Sequence, residues 1–135
     1  MLSQTSRYAL NILGFLARDP AQRVRGEEIA RGTGIPSNYL SKILNRLRKQ
    51  GIVDAAKGWG GGFRLREESL AKPISEILQI FDGVESTERN DCLFGLPHCD
   101  ASNPCPLHSY WEKIRDIHGT MLRSTTVADL ASSEN

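Results

Sequence analysis

Between residues 26 and 65 the chain runs through two short amphipathic segments separated by Gly32-Thr33-Gly34-Ile35, then two strand-like stretches around Lys57-Gly58-Trp59-Gly60-Gly61. That order leaves few folds open. Gly26 is a tolerable helix N-cap, Glu27 and Glu28 suit the positive end of a helix dipole, and Gly32 and Gly34 close the helix. Pro36 opens the next helix where a missing N–H costs nothing. There Tyr39, Leu40, Ile43, Leu44 and Leu47 form one apolar face, and Gly51 marks the end. Two helices joined by a tight glycine-containing turn make a helix-turn-helix. Residues 52–56 read as a strand and Gly62-Phe63-Arg64-Leu65 as its return, which puts a β-hairpin wing directly after the second helix.

Upstream, Tyr8, Ala9, Ile12, Leu13 and Leu16 draw a stripe along a helix from Thr5 to Ala17, ended by Asp19-Pro20. Downstream, Ile74, Ile77, Leu78 and Phe81 do the same from Pro73 to Phe81, with Gly83 behind them. Farther on, Leu107, Tyr110, Trp111, Ile114, Ile117, Met121 and Leu122 continue a helical stripe that nothing upstream obviously covers. A small winged domain has little spare apolar surface for so long a stripe, so a dimerisation helix is expected, with burial inside the same chain as the alternative. Thr125 or Thr126 is placed to cap a last short helix through Leu130, ahead of a frayed polar tail. The expected fold is therefore mainly α with a small β-hairpin wing. Residues 1–83 form a winged helix-turn-helix domain, 84–106 a cysteine-rich loop, and 107–135 a long dimerisation helix and tail.

If Leu40, Ile43, Leu44 and Leu47 point inward, the 100° step of a helix turns Asn38, Ser41, Lys42, Asn45 and Lys49 outward. These types suit a DNA groove: Asn pairs with adenine edges, Lys with guanine or phosphate, Ser with either base or backbone. The wing tip adds Lys57, Trp59 and Gly60. Four glycines within residues 58–62 invite a phosphate-loop reading, but Phe63-Arg64-Leu65-Arg66 follows where a Lys-Ser/Thr and a helix would be needed. A flexible turn carrying Lys57 can instead approach a minor groove, where cations are attracted. Trp59 has two equal readings, a side chain that shields or wedges against the sugar-phosphate backbone or one packed on its own domain.

All three cysteines fall in one polar loop, in the order Cys92-x6-Cys99-x5-Cys105-x2-His108. Thiolates are soft ligands that select iron-sulfur clusters, zinc or Cu(I). Structural zinc sites bring their ligands in close pairs, so the wider gaps here favour a cluster. His108, one helical turn beyond Cys105, is the first candidate for a fourth ligand, followed by His98 and Asp91; His118 has no such neighbours. Pro97, Pro104 and Pro106 restrict the loop, leaving the N–H groups of Gly95, Ala101 and Ser102 as donors to sulfur.

The near-neutral total charge hides a segregation. Residues 1–70 carry 12 Lys and Arg against 6 Asp and Glu, whereas residues 71–135 carry 5 against 10. The basic half suits a polyanion and the acidic half does not. An odd number of cysteines argues against a secreted disulfide scaffold. The broken apolar stretch from Ala9 to Ala17 supports neither export nor a membrane span, so a cytoplasmic location is expected. With 135 residues, and no general acid-base pair or substrate pocket in the pattern, an enzyme is not expected.

Taken together these residues are similar to the IscR/NsrR-type regulators, the winged helix-turn-helix family also called Rrf-two. The likeness covers nearly the whole chain. It rests on Ser6-Arg7-Tyr8-Ala9-Leu10, on Ile29-Ala30 and Gly34-Ile35-Pro36, on Tyr39-Leu40-x2-Ile43-Leu44-x2-Leu47-Arg48-Lys49-x-Gly51, on Lys57-Gly58-Trp59-Gly60-Gly61-Gly62-Phe63, and on the cysteine set. The resemblance implies a homodimer on partly palindromic promoter DNA, crossing its C-terminal helices and holding one iron-sulfur cluster per subunit. Cys92, Cys99, Cys105 and His108 sit where such proteins ligate a 2Fe-2S cluster, with a 4Fe-4S cluster as the alternative. Asn38, Ser41 and Lys42 fall where the family reads bases, and Lys57 where it reaches the minor groove. The first Cys–Cys gap is one residue longer than in the IscR pattern, Lys57 replaces the usual Arg, and Trp59 is unusually bulky. Some NsrR-like members take an acidic ligand from the first helix; the matching stretch here holds Arg7, Tyr8 and Asn11.

The expected function is a cluster-dependent transcriptional regulator, most often a repressor in such families, responding to redox state, nitric oxide or iron-sulfur status. A clusterless cysteine thiol switch is the alternative, and a small iron-sulfur redox protein a more distant one.

Overall fold

The computed structural model describes residues 2–83 and 100–132. Helix α1 (Gln4–Ala17) starts under Ser3, whose hydroxyl accepts the Ser6 N–H at 3.1 Å, and runs through the middle of the fold. Its face of Ala9, Ile12, Leu13 and Leu16 is almost wholly buried. Helix α2 (Gly26–Thr33) ends where Gly34 adopts φ +72°, a left-handed conformation that a glycine reaches without strain, and donates to the Ala30 carbonyl at 2.8 Å. Helix α3 (Ser37–Lys49) follows Pro36 and lays Leu40, Ile43, Leu44 and Leu47 against α1 and Ile29 of α2. Burying each such side chain contributes about 1.5–3 kcal/mol, which makes this three-helix contact the main stabiliser of the helix-turn-helix.

Tyr39 does not join that face. It is 48% exposed, its ring 6.1 Å from that of Tyr8 of α1 and tilted 59° to it.

The hairpin consists of β1 (Val53–Ala56) and β2 (Gly62–Leu65), antiparallel, with Val53 opposite Leu65 and Ala56 opposite Gly62. Ile52, expected in the strand, instead donates its N–H to the Leu47 carbonyl at 2.9 Å and closes the end of α3. Val24, between α1 and α2, exchanges two 2.8 Å backbone hydrogen bonds with Phe63 and adds a third short edge to the wing. Gly62 is required there. Its φ is +123° and a Cβ would lie 2.6 Å from the Val24 carbonyl oxygen.

Helix α4 (Ile74–Asp82) precedes the cysteine loop, and α5 (His108–Ser124) follows it. The stripe on α5 divides into two faces. Trp111 and Leu122 are buried, Leu122 against Ile74 and Leu78 of α4. Leu107, Tyr110, Ile114, Ile117 and Met121 remain 37–72% exposed.

After α5 the chain returns to the domain. Ile74 donates to the Thr125 carbonyl at 2.8 Å, Val127 to Lys72 at 3.0 Å and Ala128 to Leu70 at 3.0 Å. The last element is a 3-10 turn, Ala128–Ser132, not an α-helix. Thr126 caps it reciprocally with Asp129, N–H to Oδ2 at 2.9 Å and N–H to Oγ1 at 3.3 Å. Val127 is fully buried, and Leu130 lies on α1 at Gly14, where a Cβ would stand 3.1 Å from the Leu130 carbonyl oxygen. Most of the expected polar tail falls on 133–135, outside the described residues.

Candidate nucleic-acid interface and metal site

Helix α3 offers the polar face that its apolar stripe demands: Asn38, Ser41, Lys42, Asn45 and Lys49 are all exposed. An open cleft of about 820 Å³ separates α3 from the wing. It gathers Ser41, Asn45 and Arg48 of α3 with Lys57 of the wing and Gly26 and Glu27 at the start of α2. Asn38, Lys42 and Lys49 lie on the same helix outside the cleft, and Trp59 and Gly60 stand exposed at the wing tip.

Two arginines at this interface escape the sequence reading. Arg48 donates to Asn45 Oδ1 at 2.8 Å, so the two side chains act together; its position three residues after Asn45 on one helix face was the available signal. Arg25 donates to the Gly58 carbonyl at 2.8 Å across 33 residues of sequence, and no local pattern announces it. Beneath the wing, Asp54 pairs with Arg23 at 2.5 Å and with Arg64 at 3.3 Å. Burial alone would raise the Asp54 carboxyl, but hydrogen bonds and charge from both arginines outweigh it and hold the group below its ordinary value. Arg23 also reaches the Gly62 carbonyl at 3.4 Å, tying this network to the hairpin.

At the other end of the molecule, Cys105 and His108 share the turn that opens α5, the His108 N–H donating to the Cys105 carbonyl at 3.1 Å. Cys105 is half-buried. The His108 imidazole is buried, with Nε2 3.7 Å from Glu112 Oε2. Asp100 opens the described part of the loop as a turn, accepting the Ser102 hydroxyl at 2.7 Å and the Ser102 N–H at 2.9 Å, and these bonds lower its pKa. The Ser102 N–H is therefore engaged with a carboxylate and is not the sulfur donor expected. Cys92, Cys99, His98, Asp91 and Gly95 lie outside the described residues. Among the described residues no three His, Cys, Asp or Glu side chains gather into a metal site, which leaves Cys105 and His108 as the placed half of the candidate set. His118 is half-buried farther along α5.

The last turn of α4, which leads into the loop, is held from two sides. Asp82 accepts from Ser3 Oγ at 2.8 Å and from Ser6 Oγ. Arg46 of α3 donates to the Ile80 carbonyl and lies over the Phe81 ring.

The fold and this exposed polar face define a winged helix-turn-helix DNA-binding protein of the transcriptional-regulator class. Residues 2–133 match the Rrf2 family, described as an iron-dependent transcriptional regulator, and the chain belongs to that family. It is 36% identical over 137 residues to an Aquifex aeolicus protein provisionally named an HTH-type transcriptional regulator, covering 99% of this chain and 93% of that one. It is 28% identical over 134 residues to the HTH-type transcriptional regulator IscR of Escherichia coli, covering 98% of this chain and 81% of IscR. Among solved structures it resembles CymR, the global cysteine regulator of B. subtilis, with a TM-score of 0.78, 26% identity, and coverage of 100% of this chain and 98% of that one.

Proposed function

We propose that this chain is a homodimeric repressor whose DNA affinity depends on an iron-sulfur cluster held by Cys92, Cys99, Cys105 and His108. The observation that carries the proposal is the contiguity of Cys105 and the buried His108 with the exposed apolar face of α5. Three thiolates and one imidazole form a donor set that fits such a cluster, with the 2Fe-2S type favoured. When bound, the cluster supplies the sensitivity to oxidants, nitric oxide or iron supply. The chain's own residues do the rest. His108 and Cys105 anchor the start of α5, and Asp100 fixes the turn before them.

On α5, Leu107, Tyr110, Ile114, Ile117 and Met121 recur in alternating steps of three and four, the spacing of a helix–helix seam. A second copy of the same face is its natural cover, and two copies present two α3 helices to a palindromic site. Asn38, Ser41, Lys42, Asn45 and Lys49 then enter the major groove, while Lys57, Trp59 and Gly60 meet the neighbouring minor groove. If the two cluster states orient the reading heads differently, affinity changes by the coupling energy, typically about 1–3 kcal/mol. No described helix is long and apolar enough to cross a membrane.

Anaerobic purification tests this. Iron and acid-labile sulfide are expected in about equal amounts, with binding to a selected promoter duplex changing when nitric oxide is added. Cys105→Ala and His108→Ala are expected to lose iron. Colourless, iron-free protein that binds the duplex normally and responds to peroxide would shift the assignment to the thiol switch.

A further inference from the structure

We propose that Trp59 is a wedge that enters the minor groove and partly unstacks one base step, so that the protein bends the DNA it binds. This deepens the assignment of the wing to DNA and rests on it. The Trp59 side chain is fully exposed, at 105% of its reference area, and so does not pack on its own domain. Its neighbours Gly58 and Gly60 have φ of +82° and +70°, and a Cβ added at either would meet nothing within 4 Å. The two residues on either side of the indole in sequence thus present no side chain of their own to strike the walls of a groove.

The turn is held firmly. The Gly61 N–H closes the turn on the Gly58 carbonyl at 3.0 Å, and Arg25 donates to that same carbonyl at 2.8 Å. The hairpin below is tied to Val24 by two backbone hydrogen bonds and to Arg23 through Asp54. A rigid aromatic on a fixed base loses little freedom on insertion, which is the condition for an effective wedge. The surroundings select nucleic acid as the occupant. Lys57 and Arg25 flank the tip and Arg48 lines the adjoining cleft, so the indole is framed by cations that a narrow minor groove attracts. Apolar side chains delivered by such basic frames unstack base steps and kink the duplex toward the major groove.

The test uses full-length protein and duplexes that it selects from a randomised library. Bending is read by end-to-end energy transfer, and unstacking by 2-aminopurine placed at successive steps. Wild-type protein is expected to shorten the end-to-end distance and brighten 2-aminopurine at one step per wing. Trp59→Ala, with an unchanged thermal melt, is expected to lose both signals and to bind about tenfold more weakly. Trp59→Phe should keep part of each. Bending and 2-aminopurine signals that persist in Trp59→Ala overturn the wedge, whether or not affinity falls. If the wild-type protein selects no sequence at all, the groove assignment itself fails and the wedge with it.

Discussion

The Arg46 guanidinium of α3 lies 5.1 Å from the centre of the Phe81 ring of α4, while also donating to the Ile80 carbonyl. One side chain thereby joins α3 to the turn that leads into the cysteine loop. Arg46→Ala is expected to lower stability by about 1–2 kcal/mol, seen as an earlier urea midpoint. Arg46→Lys should recover only part, because an ammonium keeps the charge but not the planar fork. An unmoved midpoint in the alanine variant would show that the contact contributes nothing.

Asp54 carries a pH signature. A carboxyl made more acidic by folding stabilises the protein above its unfolded value of 3.8, and that contribution disappears as pH falls through the lower folded value. The melting temperature should therefore drop on acidification below about pH 4. Asp54→Asn should cost about 1 kcal/mol at neutral pH and flatten the acid limb. An acid limb equally steep in the variant would place the linkage elsewhere.

Ile117 is 72% exposed and contributes little to the fold of one chain. Ile117→Lys is expected to leave the circular dichroism melt nearly unchanged while shifting sedimentation from dimer to monomer. Palindromic DNA should then be bound only as tightly as two independent half-sites predict, without the gain that a linked pair of reading helices brings. A variant that stays dimeric would remove this face from the interface.

Lys42 and Asn38 should separate by salt and by sequence. If Lys42 meets a phosphate, Lys42→Ala weakens all duplexes similarly and reduces the slope of log K against log salt by about 1. Asn38→Ala, lacking a base contact, should cost about 1–3 kcal/mol on the selected sequence and far less on others. Titrations at several salt concentrations distinguish the two.

Gly62→Ala should disturb the wing and spare the three-helix core. With φ at +123° and backbone atoms of Val24 in the way, an alanine is expected to cost about 1–3 kcal/mol and to weaken DNA binding. Amide exchange at Phe63 is the direct readout, since its N–H pairs with Val24.

The helix-turn-helix, the hairpin and the outward face of α3 were legible because each rests on local signals: period, Pro36, Gly34 and the glycine run. Tyr39 misled because spacing alone counts it with Leu40, whereas its exposed place beside Tyr8 is set by tertiary packing. On α5, Trp111 and Ile114 belong to one broad stripe in sequence, and only the position of α4 decides which side turns inward. The return of residues 125–132 to α1 and α4 has no periodicity to betray it, being made of backbone hydrogen bonds to Leu70, Lys72 and Ile74. Arg25 escaped notice for the same reason. At the candidate metal site the donor types were legible from composition, while the burial of His108 and the engagement of Ser102 with Asp100 were matters of packing.

The return of the chain after α5 gives α4 an unusual station. Its first residue, Ile74, is bonded to Thr125, where α5 ends, and its last, Asp82, borders the loop from which α5 emerges. Both feet of the long excursion thus rest on one nine-residue rod, about 13 Å long. Arg46 and Ser6 fasten that rod to α3 and α1, so the departure and the return of the chain share a single support on the domain.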